Sequence, residues 1–279
     1  MPCVTIRVDV IPERDWRVIS GMALTRLARS VRWRTDGLRS YARAYRATSG
    51  WHRAERVPVR LAAGTGLVPV IFCTFRRLER LRSTLDMLAA QDVPVQAVIW
   101  DNSSPPHPET VDKIVSGARI PVTVHHCSRN IGGFGRFYLT REAALAGHQR
   151  VVFVDDDQDF GPTAVRDLLA ACPERGVASW WAWRIRSQYG DRERAGAGER
   201  ADYAGTGGMA ASASLFTEAG LFLCPRPYWF AEDLWLSLYC RSRRYDVLGA
   251  RPDVTEIIDG RNQNDSLGWV KRRLWRSLQ

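Results

Sequence analysis

Between residues 67 and 154, apolar runs of strand length alternate with short helical segments, and this alternation limits the possible folds more than any other feature. LVPVIFC at 67–73 is continuously apolar, as a strand covered on both faces must be. Residues 77–91 then place Leu78, Leu81, Leu85 and Leu88 on one helical face. QAVIW at 96–100 is a second buried strand, followed by a short helix near 109–117 and by PVTVHH at 121–126. A helix over about 133–147 leads to RVVFV at 150–154. Strands and helices alternating at this spacing predict an α/β class with a largely parallel sheet flanked by helices. With 279 residues, 45% of them hydrophobic and 25% charged, the chain is neither disordered, collagen-like nor a disulfide scaffold.

The rhythm is weaker on either side of this block. GVASWWAWRI at 176–185 reads as a strand, 232–243 as a helix, 245–250 and 253–258 as short strands, and 266–277 as a basic terminal helix. Upstream, 4–10 alternates like a strand. Residues 14–33 set Trp16, Ile19, Leu24, Leu27 and Val31 against Arg29 and Arg32, as an amphipathic helix does. The expected organisation is a basic extension over 1–60, a linker at 61–66, a catalytic-type domain over 67–265 and a basic helix over 266–279. The net charge of +10 divides along these lines. Residues 1–60 hold 13 Arg and five acids (+8), and 271–279 add +4, which leaves −2 for the middle. Two basic ends around a near-neutral body are suited to an anionic membrane surface. No apolar run reaches about 18 residues, so no spanning helix is expected. MPCVTIRVDV lacks the apolar stretch of a secretory signal, and the expectation is a cytoplasmic protein held peripherally at the inner membrane face. The six cysteines form no CxxC pair, so they read as scattered reduced thiols.

Each strand of the central block ends in polar residues: Thr74-Phe75-Arg76-Arg77, then Asp101-Asn102-Ser103-Ser104, then Asn130-Ile131-Gly132-Gly133-Phe134-Gly135, then Asp155-Asp156-Asp157. Ligands of open α/β sheets bind at the carboxyl ends of strands, so four such clusters indicate one site. Three adjacent carboxylates repel one another unless cations or donors compensate, and hard oxygen ligands suit Mg²⁺ or Mn²⁺ held against a phosphate. The alternative for the triplet is a solvated acidic turn. The glycines at 132, 133 and 135 would let backbone N–H groups approach an anion, or would serve a tight turn. Glu232-Asp233 opens a helix, where acids serve either the helix dipole or a catalytic cleft. His125 and His126 are adjacent on a strand and point to opposite faces, which disfavours one shared metal. Trp180, Trp181 and Trp183 suit the core or an acceptor platform.

The order of these motifs, with Gly-Thr-Gly-Gly at 205–208 and Glu232-Asp233, resembles family 2 glycosyltransferases of the GT-A fold over about 67–250. RNIGGFGRF is similar to their galactofuranosyl- and rhamnosyltransferase branches in particular. The resemblance implies a GT-A-like Rossmann-type domain and an inverting transfer from a UDP- or dTDP-sugar to a hydroxyl of a glycan or lipid-linked acceptor. It implies a role in cell-envelope polysaccharide synthesis. It implies donor-nucleotide contacts at Thr74, Phe75, Arg76, Asp101, Asn130, Gly132, Gly133, Asp155 and Asp156. Asp155 and Asp157 would hold Mg²⁺ or Mn²⁺ against the diphosphate. Asp233 would be the general base, with Glu232 the next candidate, and Gly207, Gly208 and Trp229 would face sugar and acceptor. The histidine that relatives often place after the Glu-Asp helix is missing, since all five histidines precede the Asp triplet; the alternatives in its place are Asn264, Asp265 or water. The Gln-x-x-Arg-Trp motif of processive synthases is also missing, which implies transfer of one sugar or a few.

Three other readings stay open on the residues alone. A nucleotidyltransferase acting on sugar phosphates also uses clustered carboxylates, but its Gly-rich loop after the first strand is not here. A nucleic-acid-binding protein would use the basic ends and their tryptophans, which leaves the Asp triplet unexplained. A catalytically inactive scaffold of the same fold is the third.

Overall fold

The β-branched and aromatic residues of VPVIFCT make β1 (Val68–Thr74), an interior strand of the main sheet, with Val70, Ile71 and Phe72 fully buried. In the computed structural model, residues 61, 66–75, 77–103, 107–127, 130–257 and 264–277 are described. The expected 1–60 strand and helices and Arg76 lie outside the described residues, as do the side chains of Asn264 and Asp265.

The elements that follow are α1 (Leu78–Ala89), β2 (Val95–Asp101), α2 (Pro108–Val115), β3 (Val122–His126), α3 (Gly135–Leu145), β4 (Arg150–Phe153), β5 (Gln158–Phe160) and α4 (Ala164–Ala171). Then come β6 (Gly176–Ser179), β7 (Ala182–Ile185), β8 (Arg192–Arg194), β9 (Tyr203–Ala204), β10 (Met209–Ser212) and three short 3₁₀ turns over 213–231. The last elements are α5 (Glu232–Ser242), β11 (Asp246–Gly249), β12 (Val254–Glu256) and α6 (Asn264–Ser277).

Seven strands form the main sheet in the order β11-β6-β10-β4-β1-β2-β3. β1 pairs in parallel with β2 and β4, and β2 with β3. β10 runs antiparallel to both β4 and β6. The α/β class with a largely parallel sheet therefore holds, with one reversed strand in its midst. One core cluster packs α3 and the 213–240 segment on one face of the sheet; a second packs α1 and α4 on the other. A third joins α5 to α6 through Leu234, Leu267, Val270, Leu274 and Trp275, so the basic terminal helix is docked on the domain. No helix among the described residues is long and apolar enough to cross a membrane.

The tryptophan run departs from its expected form. GVASWWAWRI is two strands, not one: β6 stays in the main sheet, and after a turn at Trp180-Trp181, β7 enters a separate sheet of order β8-β7-β9.

Candidate active site

The parallel register sets the ends of β1, β2 and β4 side by side, with Thr74 opposite Asp101. Thr74 is fully buried. Asp101 accepts a 2.9 Å hydrogen bond from the Ser103 amide, and its Oδ2 lies 2.9 Å from His126 Nδ1. His126 Nε2 is 3.0 Å from Asp112 Oδ1. Burial pulls the His126 pKa down, but the hydrogen bonds to both carboxylates outweigh it and raise the pKa. His125 turns the other way and packs on Trp100, so the two histidines share no ligand.

The 130–135 turn is fixed by side-chain amides. Asn102 donates to the Gly132 carbonyl at 3.0 Å and accepts from the Ile131 amide at 3.1 Å. Asn130 accepts from the Gly132 amide at 2.7 Å. Phe230 packs on Gly132, and Glu232 lies so close to Gly133 that a Cβ there would overlap its carboxylate. Trp229 is 3% exposed, stacks on Phe134 at 4.5 Å and donates its indole N–H to the Cys224 carbonyl. It belongs to the core cluster on the α3 face of the sheet.

The Asp triplet splits into two groups. Asp155 accepts a 2.8 Å bond from Arg136 Nη2 and touches the 205–208 turn at Gly207, where only a residue without Cβ leaves it room. Asp156 accepts from the Phe75 amide at 3.1 Å and from Arg77 at 3.3 Å. Arg77 also reaches Asp157 at 3.2 Å. Burial raises Asp156 to about 6 despite these donors. Burial, then repulsion from Asp155 and Asp156, raises Asp157 to about 7. The triplet is thus not a solvated turn.

The donors suit a hydrated Mg²⁺ or Mn²⁺ that arrives with a diphosphate, since such ions commonly use only one or two carboxylates. They do not make a preformed cage, because no group of three His, Cys, Asp or Glu that could hold a metal occurs among the described residues.

Arg136 is the residue that sequence reasoning missed. It is 5% exposed on α3, between buried Gly135 and Phe137, with Cys73, Asp155 and Glu232 as charged or polar neighbours. Its Nε and Nη1 are buried without a hydrogen-bond partner. The signal was an arginine set between Phe134 and the aromatic and apolar run Phe137-Tyr138-Leu139; a charge buried there must serve a partner. Cys73 sits beside it as a neutral thiol, pushed up to about 12 chiefly by burial.

Glu232 and Asp233 face different surroundings. Glu232 is 7% exposed, 3.4 Å from the Thr206 hydroxyl, and burial followed by the Asp233 charge raises it to about 7. Asp233 Oδ2 accepts from Tyr203 at 2.5 Å and from Lys271 Nζ at 2.6 Å. Burial lowers the Lys271 pKa, but the Asp233 charge outweighs it, so Lys271 stays an ammonium. The structure thus brings Asp155, Arg136, Cys73, Gly133, Gly207 and Glu232 together, with Asp233 turned into a network closed by α6.

No protein-family model matches this chain. It is 34% identical over 110 residues to galactofuranosyltransferase GlfT1 of Mycolicibacterium smegmatis, which is 39% of this chain and 35% of that protein. It is 35% identical over 117 residues to GlfT1 of Mycobacterium tuberculosis, 40% of this chain and 37% of that protein. The matches therefore span little more than a third of these relatives' length. Among solved structures, S. aureus TarS 1–349 in complex with UDP-GlcNAc superposes with a TM-score of 0.49 at 18% identity, covering 70% of this chain and 60% of that one. The mannosyltransferase PcManGT of Pyrobaculum calidifontis with GDP-Man and Mn²⁺ gives 0.47 at 19% identity, covering 88% and 71%.

Proposed function

We propose that this chain is an inverting glycosyltransferase. It moves a sugar from a UDP- or dTDP-sugar to a hydroxyl of a glycan or lipid-linked acceptor, in the synthesis of a cell-envelope polysaccharide. The observation that carries the reading is the meeting, at the carboxyl ends of β1 and β4, of the Asp triplet, a buried arginine with unused donors and the buried Glu232 carboxylate. The partial likeness to galactofuranosyltransferases supports it.

The chemistry needs three services. The nucleotide must be seated, and Thr74, Phe75, Asp101 and the 130–133 turn line the strand ends for that. The departing diphosphate needs positive charge: Arg136 offers its free N–H groups, and Asp155 and Asp157 would hold the metal. Bound there, Mg²⁺ or Mn²⁺ neutralises charge on the leaving group. The acceptor hydroxyl must lose its proton as its oxygen bonds to the anomeric carbon and the bond to the diphosphate breaks. Glu232 takes that proton in our reading, because its raised pKa matches a base poised near neutrality. In Asp233, the residue the family resemblance favoured, Oδ2 already accepts from an ammonium and a phenol.

The basic ends would hold the enzyme at an anionic membrane surface, close to a lipid-linked acceptor. The direct test is a screen of UDP-, dTDP- and GDP-sugars for metal-dependent release of nucleoside diphosphate. Release from a UDP- or dTDP-sugar supports the reading. Release of pyrophosphate instead would favour a nucleotidyltransferase.

A further inference from the structure

The separate sheet β8-β7-β9 has two unlike faces. Alternation along β8 puts Arg192 and Arg194 on one face and Glu193 on the other. The register sets Trp183 opposite Arg194 on one neighbour and opposite Tyr203 on the other, while Arg184 lies opposite Glu193. The Glu193 face is neutralised: Arg184 pairs with it at 3.1 Å, and Arg186 pairs with its other oxygen.

The opposite face carries cations and rings, and among the described residues no carboxylate pairs with Arg192 or Arg194. Arg194 stacks over Trp180, Trp181 and Trp183 at 4.8, 4.6 and 5.3 Å. Arg192 stacks over Trp183 at 4.7 Å and over Tyr189 at 5.0 Å. Among the described residues, neither guanidinium makes an ion pair. Arg194 Nε, Arg192 Nη1 and Trp183 Nε1 are buried atoms with no hydrogen-bond partner. Arg194 also donates to the Trp180 carbonyl. Exposed Arg251 adds a third cation: burial and then Arg251 lower the Arg194 pKa, against a lesser opposing effect of Glu256. Three buried N–H groups without partners beside two partly exposed arginines that make no ion pair leave donors in excess at this face, which is matched by an oxyanion. The indoles beside them are half-buried and suit the apolar face of a sugar ring.

This shelf adjoins the active site along the 205–208 turn. Trp181 packs on Gly205 and Trp180 on Gly208, while Asp155 packs on Gly207 between them. Tyr203, which ends the shelf, is the phenol bonded to Asp233.

We infer that the Trp180-Trp181-Trp183 and Arg192-Arg194 shelf is a subsite for an anionic carbohydrate, with the sugar ring on the indoles and its phosphate or carboxylate on the guanidinium groups. Naming that carbohydrate the acceptor rests on the transferase reading; the binding itself does not. The shelf thereby deepens that reading from a glycan acceptor in general to one that carries negative charge.

The test uses the full chain and intrinsic tryptophan fluorescence. UDP with Mg²⁺ is titrated first, and its binding or failure bears on the transferase reading alone. With UDP and Mg²⁺ then held in excess to fill any donor site, glucose 1-phosphate, glucuronate and glucose are titrated separately. Saturable binding of an anionic sugar, at least tenfold weaker for glucose, is expected. Arg194→Gln and Arg192→Gln should each weaken it at least tenfold, with unchanged circular dichroism and unchanged UDP affinity. Arg251→Gln, at an exposed site, is the milder variant and should weaken it severalfold. The phosphate and carboxylate arms show which oxyanion is preferred. Equal binding of glucose, no binding of either anion, or binding untouched by all three substitutions would overturn the proposal, even if UDP binds as expected.

Discussion

At the scale of single residues, the two neighbouring carboxylates of α5 separate by their partners. Glu232 is raised to about 7 by burial and by Asp233, whereas Asp233 is bound to Lys271 and Tyr203. Glu232→Gln should therefore lower turnover by roughly 10²-fold or more while donor affinity is kept. In the wild type, turnover should rise with pH through about 7, since only the deprotonated group accepts a proton. Asp233→Asn should act mainly on stability, because it leaves a buried ammonium unpaired, at a cost of roughly 3–5 kcal/mol. Adding Lys271→Met should restore much of that loss. Urea unfolding and steady-state rates separate the two effects; a soluble, stable Asp233→Asn enzyme with no transfer would return the base to Asp233. The carboxylates themselves were legible in the sequence, since Asp triplets and Glu-Asp pairs announce a charge problem. Their partners were not. Arg136, Tyr203 and Lys271 reach them across 19, 30 and 38 positions, and only the folded sheet and α6 bring such distant residues together.

At the scale of elements, legibility followed length and burial. β1 and β2 have seven residues each and read directly from their apolar runs. β8 and β9 have three and two residues, too short for any period to register. Trp180 and Trp181 hid a turn, because aromatic residues favour strands and here the chain leaves one sheet for another. The 130–135 turn is the element on which the site depends most, as Asn102 and Asn130 fix its backbone and Glu232 rests on its Gly133. Gly133→Ala puts a methyl group where the Glu232 carboxylate lies. The variant should lose turnover at least tenfold by displacing Glu232, and should also weaken UDP, because the 130–133 turn helps to seat the nucleotide. Initial rates and nucleotide titration measure this, and a fully active Gly133→Ala enzyme would detach Glu232 from the chemistry.

At the scale of the whole molecule, the site's burden of charge should be readable as stability against pH. Asp157 holds its proton to about 7 in the folded chain, against an ordinary value near 3.8, and Glu232 to about 7 against 4.5. Between those limits the folded state binds protons that the unfolded state has released, so stability falls as pH rises. His126 acts in the same direction for a different reason. Its folded pKa lies above 6.5, so the stabilisation it gains from Asp101 and Asp112 is complete below that value and lost as pH rises through the folded pKa. The metal-free protein should therefore melt at higher temperature at pH 5.5 than at pH 8. Mg²⁺ should reverse part of that slope. At pH 8 it meets ionised, mutually repelling carboxylates and relieves them; at pH 5.5 it must displace the Asp157 proton to bind. Its stabilisation should thus be several-fold larger at pH 8, by the mass-action increment that any ligand of the folded state contributes. Asp157→Asn should abolish the Mg²⁺ response and flatten the metal-free slope, whereas His126→Gln should flatten the slope and leave the Mg²⁺ response intact. Thermal melts at the two pH values, with and without Mg²⁺, distinguish these outcomes. A Mg²⁺ increment equal at both pH values, or one that survives Asp157→Asn, would move the metal away from the Asp triplet.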